Sequence, residues 1–306
     1  MAQISESRPI VVVINKQALT AQHLDSDEVL RAFVSRGCDA RVHRVEGSEI
    51  AGIVQSALDS GIRSFAAAGG DGTVNAVATA LIETEDAALA LIPTGTLNHF
   101  ARDLGVPTDL DQAIEVIAAD HRRRIDVAEV NGHLFLNNSS IGLYPQMVAS
   151  RETLQKHRKL GKWTAMMRAG WSVLRHPQTF HLTLCVNGQN IQRRTPFVFV
   201  GNNDYQIEGL QSGGRNRLDE GVLAIYVVRQ RDPWGLVLLV VRAMLGKIVH
   251  GRDLDRIIAT SLSVESRHPS ALVARDGEVD TLTIPLRYRI RPRSLTVIVP
   301  LTSESH

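Results

Sequence analysis

The chain has 306 residues and 44% hydrophobic content, enough for one large or two ordinary domains with real cores. A formal net charge of +2 is too mild for a nucleic-acid binder. The two cysteines, Cys38 and Cys185, lie far apart in sequence, so neither a disulfide framework nor a cysteine metal knuckle is expected, and a reducing cytosol suits the chain.

The first residues, "MAQISESRPIVVVINK", lack a basic n-region and read as a tail and a first strand rather than a signal peptide. "IVVVI" (10–14) is a β-branched run suited to a strand buried on both faces. A short strand is expected near 41–45. The helix that follows carries Ile50, Ile53, Val54, Ala57 and Leu58 at helical spacing, with Ser48 available as cap. "RSFAAAG" is a third strand, "VNAVATALI" a helix, "ALALI" (88–92) a fourth strand and "DLDQAIEVIAA" (109–119) another helix. Such alternation implies a parallel sheet with helices on both sides. After about residue 125 short strands follow one another, with turn signals at Asn131-Gly132 and Asn187-Gly188. That is the pattern of a sandwich or barrel, interrupted by helical segments near 151–176 and 234–249. The expected domains are therefore residues 1–125 and 126–306, with the C-terminal strand near 294–300 able to pack back on the first.

The densest chemical signal is "AAAGGDGTVNAVATAL" (66–81), which passes from strand to helix through Gly69, Gly70, Asp71, Gly72 and Thr73. Ligands collect at the carboxyl ends of parallel strands. Glycines permit positive φ and close backbone approach, and a helix N-terminus attracts phosphate. Asp71 would repel a bare phosphate; it makes sense with Mg²⁺ between them, or as a group that polarises a reacting atom. A tight strand–helix turn capped by Thr73 explains the same residues equally well. A second turn after a strand, "LIPTGTLNHFARDLGVP" (91–107), brings Pro93, Gly95, Thr96 and Asn98. Two such turns on successive strands form a wall of donors suited to a triphosphate. The patterns G-x-x-x-x-G-K-[ST] and G-x-G-x-x-G are both absent, which argues against a P-loop enzyme and an ordinary dinucleotide fold.

Taken in order, "GGDGTVNAV", "PTGTLNHFARDLGVP", "RRRIDVAEVNGHLFLNNSSIGL", "LDEGVLAIYVV" and "ARDGE" resemble the diacylglycerol kinase catalytic family, which includes sphingosine kinases and bacterial lipid kinases. NAD kinases and phosphofructokinases share Gly-Gly-Asp-Gly, but P-x-G-T-x-N favours the lipid-kinase branch. The resemblance runs over nearly the whole chain. It implies a nucleotide-binding α/β domain of the NAD kinase and phosphofructokinase type, a β-sandwich-like lipid domain, and an active site between them. It implies ATP and Mg²⁺ as cofactors and a lipid hydroxyl, such as that of diacylglycerol or a sphingoid base, as acceptor. By the same resemblance Asn15, Gly69, Gly70, Asp71, Gly72, Thr73, Val74, Asn75, Gly95, Thr96 and Asn98 contact the nucleotide. Asp71 and Asp126 organise Mg²⁺ through water, and Glu278 accepts the proton. On spacing alone "DGE" reads better as an exposed hairpin turn.

The chain also departs from the family. Asn15-Lys16-Gln17-Ala18-Leu19 stands where N-P-x-[SA]-G is usual, and His99 where an Asp is usual. Bacterial members often hold a structural Mg²⁺ beside L-D-D-G. Here Glu220 precedes the glycine, and its longer side chain can coordinate alongside the carbonyls of Arg217 and Val222. Residues 151–176 carry seven Lys and Arg against Glu152, with Trp163 and Trp171 interleaved. Such a segment suits an anionic membrane surface or, read plainly, a solvated helix face. The apolar 234–249 stretch suits a membrane or a buried helix. The expected setting is cytoplasmic, peripheral at the inner face of the membrane, with no nucleic-acid partner and a homodimer as a further expectation. The alternatives are a kinase of a soluble acceptor, or a catalytically weak nucleotide- or lipid-binding protein.

Overall fold

A computed structural model describes residues 9–17, 24–95, 98–146, 148, 179–186, 188–205, 214–215, 217–230, 232–244 and 251–301. The chain divides into two compact units, Met1–Ile125 with Arg293–His306, and Asp126–Pro292. The 151–176 segment lies outside the described residues.

In the first unit β1 (Pro9–Asn15), β2 (Asp39–Val45), β3 (Ser64–Gly69) and β4 (Ala88–Pro93) pair in parallel in the order β2-β1-β3-β4. The central strands are largely apolar because both faces are covered, and every residue of β3 and β4 is buried. The covering helices are α1 (Ser26–Val34), α2 (Ile50–Asp59), α3 (Asp71–Leu81), α4 (His99–Asp103) and α5 (Leu110–Ala119). The sequence pattern passes over α1, whose inward face is only Val29 and Phe33 amid charged residues; the carboxylate of Asp25 caps it by accepting from Asp27 N–H. Ser48 is not the cap of α2. A 3₁₀ turn, Gly47–Glu49, precedes that helix, and Glu46 and Glu49 close a capping box there. Asp109 caps α5 through Gln112 N–H.

The second unit starts within β5 (Arg122–Val130), which turns through Asn131 (φ 49°) and Gly132 (φ 81°) into β6 (His133–Phe135). Two positive φ angles make the hairpin turn whose twist matches its strands, as Asn-Gly demands. The remaining elements are β7 (Asn138–Gly142), β8 (Phe180–Val186), β9 (Gln189–Thr195), β10 (Phe197–Asn202), β11 (Leu223–Val228), α6 (Pro233–Met244), β12 (Leu254–Ala259), β13 (Ser261–Glu265), β14 (Ser270–Arg275), β15 (Glu278–Thr283) and β16 (Leu286–Ile298). One antiparallel sheet runs β12-β11-β10-β7-β14-β15; β9-β8-β13 pair with the first half of β16. Val198, Val200, Leu184, Ile225, Val264 and Tyr288 fill the core of this sandwich. Burial pushes the Tyr288 phenol well above its ordinary value, and the hydroxyl of Ser139 is its partner at 3.2 Å. The second half of β16 pairs in parallel with β4, Thr296 opposite Ala88. Both cysteines are free thiols. Among the described residues no helix is long and apolar enough to cross a membrane.

Candidate functional site

In the first unit the two glycine-bearing turns leave adjacent strands side by side. Gly69 is opposite Pro93, and Thr94 N–H donates to the Gly69 carbonyl at 3.2 Å. None of Gly69, Gly70 and Gly95 has a positive φ, and Gly72 lies in the first turn of α3. Their purpose is close approach instead of left-handed geometry. A Cβ on Gly95 would lie 2.6 Å from the Gly70 Cα and 2.6 Å from Asn98 Oδ1. A Cβ on Gly69 would lie 2.3 Å from Thr73 Oγ1. The second turn is clamped by Asn98, in the left-handed region at φ 46°, whose side chain accepts from Gly95 N–H at 2.9 Å and donates to the Gly95 carbonyl at 2.8 Å.

Thr73 is not the helix cap. Gly70 holds that position with no side-chain hydrogen bond, so the first N–H groups of the eleven-residue α3 have no side-chain cap from that position. Thr73 is buried one turn in, and its hydroxyl accepts from Asn15 Nδ2 at 2.9 Å, which ties the end of β1 to α3. Asn15 Oδ1 in turn accepts from Gln17 N–H at 2.9 Å; Leu19, which stands where the family has Gly, lies outside the described residues. Val74 is buried, so only its backbone can face a ligand, and Asn75 accepts from Thr79 within the helix. The carboxylate of Asp71 accepts from His99 N–H at 3.4 Å and Phe100 N–H at 3.3 Å. Both bonds are long for N–H···O, which leaves most of its acceptor capacity for another partner. His99 Nδ1 meets Arg102 Nη2 at 3.0 Å. A guanidinium can only donate, so in this contact Nδ1 is the acceptor. Thr96 lies outside the described residues.

One polar atom here was not anticipated. Thr94 Oγ1 is buried, beside the second turn, with no hydrogen-bond partner among the described residues. Together with the uncapped start of α3 and the glycine cradle, this unsatisfied hydroxyl fits a phosphate-bearing group. Mg²⁺ fits as well. It favours one or two carboxylates with substrate phosphates and water over an all-protein cage, and Asp71 is such a carboxylate. Among the described residues no group of three or more His, Cys, Asp or Glu is gathered for a metal.

In the second unit Glu278 is exposed at the start of β15, directly after a turn formed by Asp276 (φ 47°) and Gly277 (φ 91°). The plain reading of Asp-Gly-Glu as a hairpin turn is therefore the geometry itself. What holds this turn was not legible in sequence. The carboxylate of Asp276 accepts from Leu136 N–H (2.8 Å), Asn137 N–H (2.8 Å) and Asn138 N–H (3.2 Å), while Asp276 N–H donates to the Asn138 carbonyl at 3.0 Å. The same 136–138 segment is gripped from the other side. Buried Arg215 donates to the carbonyls of Leu136 (2.7 Å) and Asn202 (2.9 Å) and to Asn137 Oδ1 (2.9 Å). Asn202 Nδ2 donates to the carbonyls of Leu136 (2.9 Å) and Asp126 (3.0 Å).

Asp126 thus joins the same frame. It is fully buried on β5, and its carboxylate accepts from Gly221 N–H at 2.6 Å. The Arg217–Val222 loop is stitched alongside: Asp126 N–H donates to the Leu218 carbonyl at 2.7 Å, and the Val222 carbonyl accepts from Asn203 N–H at 3.0 Å. Arg217 pairs with Asp219 at 3.3 Å, and Glu220 is exposed. Beyond Asn203, Asp204 anchors the end of β10 by accepting from Tyr226 Oη (2.6 Å) and pairing with Arg256. Burial pushes the Asp204 carboxyl up, but the Arg256 and Tyr226 hydrogen bonds outweigh it and hold it below the usual aspartate range. A cavity of about 200 Å³ in this unit is walled mainly by Ile141, Phe180, Leu182, Val264, Leu272 and Leu286.

Residues 9–130 match the family model described as the diacylglycerol kinase catalytic domain, and residues 148–299 match the YegS C-terminal NAD kinase beta sandwich-like domain. A "Probable lipid kinase YegS-like" protein of Pseudomonas fluorescens is 31% identical over 223 residues, 72% of this chain and 71% of that protein. One of the same description from Pseudomonas savastanoi is 29% identical over 98% of this chain and 96% of its own length. A solved structure of a candidate diacylglycerol kinase from Bacillus anthracis superposes with a TM-score of 0.74 at 26% identity, covering 96% of this chain and 98% of that one.

Proposed function

Given that this chain belongs to the diacylglycerol kinase catalytic family, we propose that it is an ATP-dependent lipid kinase that phosphorylates a hydroxyl of a membrane lipid such as diacylglycerol or a sphingoid base, at the cytoplasmic face of the membrane. The observation that carries this reading is the pair of glycine turns in backbone contact beside the unsatisfied hydroxyl of Thr94. Bound MgATP supplies the γ-phosphoryl group, with the metal neutralising charge on its oxygens. The start of α3 and the Gly69–Gly70 and Gly95 backbone bind and orient the phosphates. Asp71 holds the metal's water shell. Glu278 takes the proton from the attacking hydroxyl, a contribution of about 10²–10⁴ in rate. Asp126 fixes the Leu218–Gly221 loop from within its own unit. The apolar cavity of the second unit suits part of an acyl chain.

Labelled ATP incubated with the protein and a detergent-dispersed lipid extract tests the reading, with a phosphorylated lipid as the expected product. Phosphate transfer only to soluble acceptors would replace it with a kinase of another substrate class. A second reading, a nucleotide- or lipid-binding protein of weak activity, is favoured by His99, where an Asp is usual and the imidazole engages Arg102. It predicts tight nucleotide binding with no transfer to any lipid.

A further inference from the structure

Helix α6 has an unusual solvent side. Trp234, Leu238 and Val241 are 79%, 47% and 44% exposed. Their spacing of four and three residues places them on one stripe. From Pro233 to Val241 the sequence is Pro-Trp-Gly-Leu-Val-Leu-Leu-Val-Val, with no polar side chain. A surface helix ordinarily turns polar residues to water. This one buries Leu236 and still shows an apolar stripe outward. Asp232 caps the helix by accepting from Gly235 N–H at 2.7 Å, and Arg242, paired at 2.7 Å with the fully buried Asp253, ties its other end to the domain. That ion pair and buried Leu236 keep the stripe on the solvent side.

The surrounding sequence carries a modest basic excess. Residues 229–255 contain Arg229, Arg231, Arg242, Lys247 and Arg252 against Asp232, Asp253 and Asp255, an excess of two positive charges, with Arg242 paired to Asp253 and Arg229 to Asp255. We propose that the exposed stripe of α6 is a membrane-docking surface that seats in the headgroup region of an anionic bilayer, an inference that rests on the lipid-kinase reading above for its purpose. An indole at the end of an apolar stripe matches the interface between headgroups and acyl chains. The basic excess matches an anionic leaflet. A second copy of the chain fits less well, because three side chains on one stripe fall far short of the ~20–30 residues a side of a stable protein interface.

Flotation of the full chain with phosphatidylglycerol–phosphatidylcholine vesicles, and with phosphatidylcholine alone, tests this. The parent should float with the anionic vesicles and release as salt rises. Trp234→Ser/Leu238→Ser/Val241→Ser should bind them about tenfold or more weakly, with nucleotide affinity and melting temperature unchanged. If that variant does not fold, Leu238→Gln and Val241→Gln singly should each weaken flotation. Equal flotation of parent and folded variants overturns the proposal. So does a parent that ignores anionic vesicles, or a parent dimer that the variant dissociates without loss of flotation. Turnover on detergent-dispersed lipid separates the two readings. If parent and variant phosphorylate lipid equally in detergent while the variant fails on vesicles, both stand. If no lipid is phosphorylated in detergent but the stripe still governs flotation, docking stands and the kinase reading falls.

Discussion

At Gly69–Gly70 and Gly95 the chain is held by backbone lying on backbone, with Asn98 bracketing one turn by two hydrogen bonds. The turn that carries Glu278 is held by polar side chains drawn from far along the sequence: Asp276, Asn202 and Arg215 meet on residues 136–138. The first arrangement leaves no room for a side chain at Gly69 or Gly95, and the second depends on each of its polar side chains. Each follows from the task proposed for it. A phosphate wants bare N–H groups at close range. A carboxylate that must meet one hydroxyl wants a stiff mount.

The sharpest test of the contrast is Glu278→Gln, which alters neither mount. Turnover on the lipid acceptor should fall by about 10²–10⁴ while nucleotide affinity and melting temperature hold, measured by kinetics and calorimetry on one preparation. Near-parental turnover would remove Glu278 as the base. Next comes Gly95→Ala. Its methyl would sit 2.6 Å from the Gly70 Cα, whereas Gly70→Ala would meet the Gly95 Cα at an ordinary 3.5 Å. Calorimetry should therefore show nucleotide affinity lost in the first and largely retained in the second; equal effects would mean that steric closeness is not what these glycines provide. Asp276→Ala should destabilise the second unit by about 1–3 kcal/mol, because backbone N–H groups lose their acceptor, and should lower turnover with nucleotide binding unchanged. Urea melts together with kinetics check it, and a variant that loses stability but keeps turnover would show that the mount can loosen freely. The smallest effect concerns acid. Asp204 titrates below its unfolded value of about 3.9, so its contribution is present above that value and is lost as pH falls through the folded one. Asp204→Asn should flatten the acid limb of the stability curve below about pH 4; an unchanged limb would assign acid unfolding to other groups.

The same contrast explains what could be read from sequence. Strand–glycine–helix punctuation is local, so β3, β4 and the turns after them were visible, as was the alternating texture of the sandwich. Of the two readings of the Gly-rich turn, the one with Thr73 as cap fails on a distant contact, because Asn15, 58 positions away, takes its hydroxyl and Gly70 holds the cap position. Helix α1 was passed over because two inward residues in nine make a faint stripe. The frame around Glu278 joins positions 126, 136–138, 202, 215 and 276, and no periodicity links them. Only Asp-Gly-Glu, read as an exposed hairpin turn, pointed toward Asp276.

Strand β16 carries a consequence for how the protein is made. The first unit closes only with Arg293–His306, and β4 has its outer neighbour only when Thr296 and Val297 arrive. A ribosome delivers residues 126–292 before that strand. The nascent first unit must therefore wait with one side of β4 unpaired while the whole second unit emerges. An open, apolar strand edge invites pairing with other chains. A chain that stops short of residue 293 would keep that edge for life, so truncation at the C-terminus should be read out first as aggregation of the N-terminal unit.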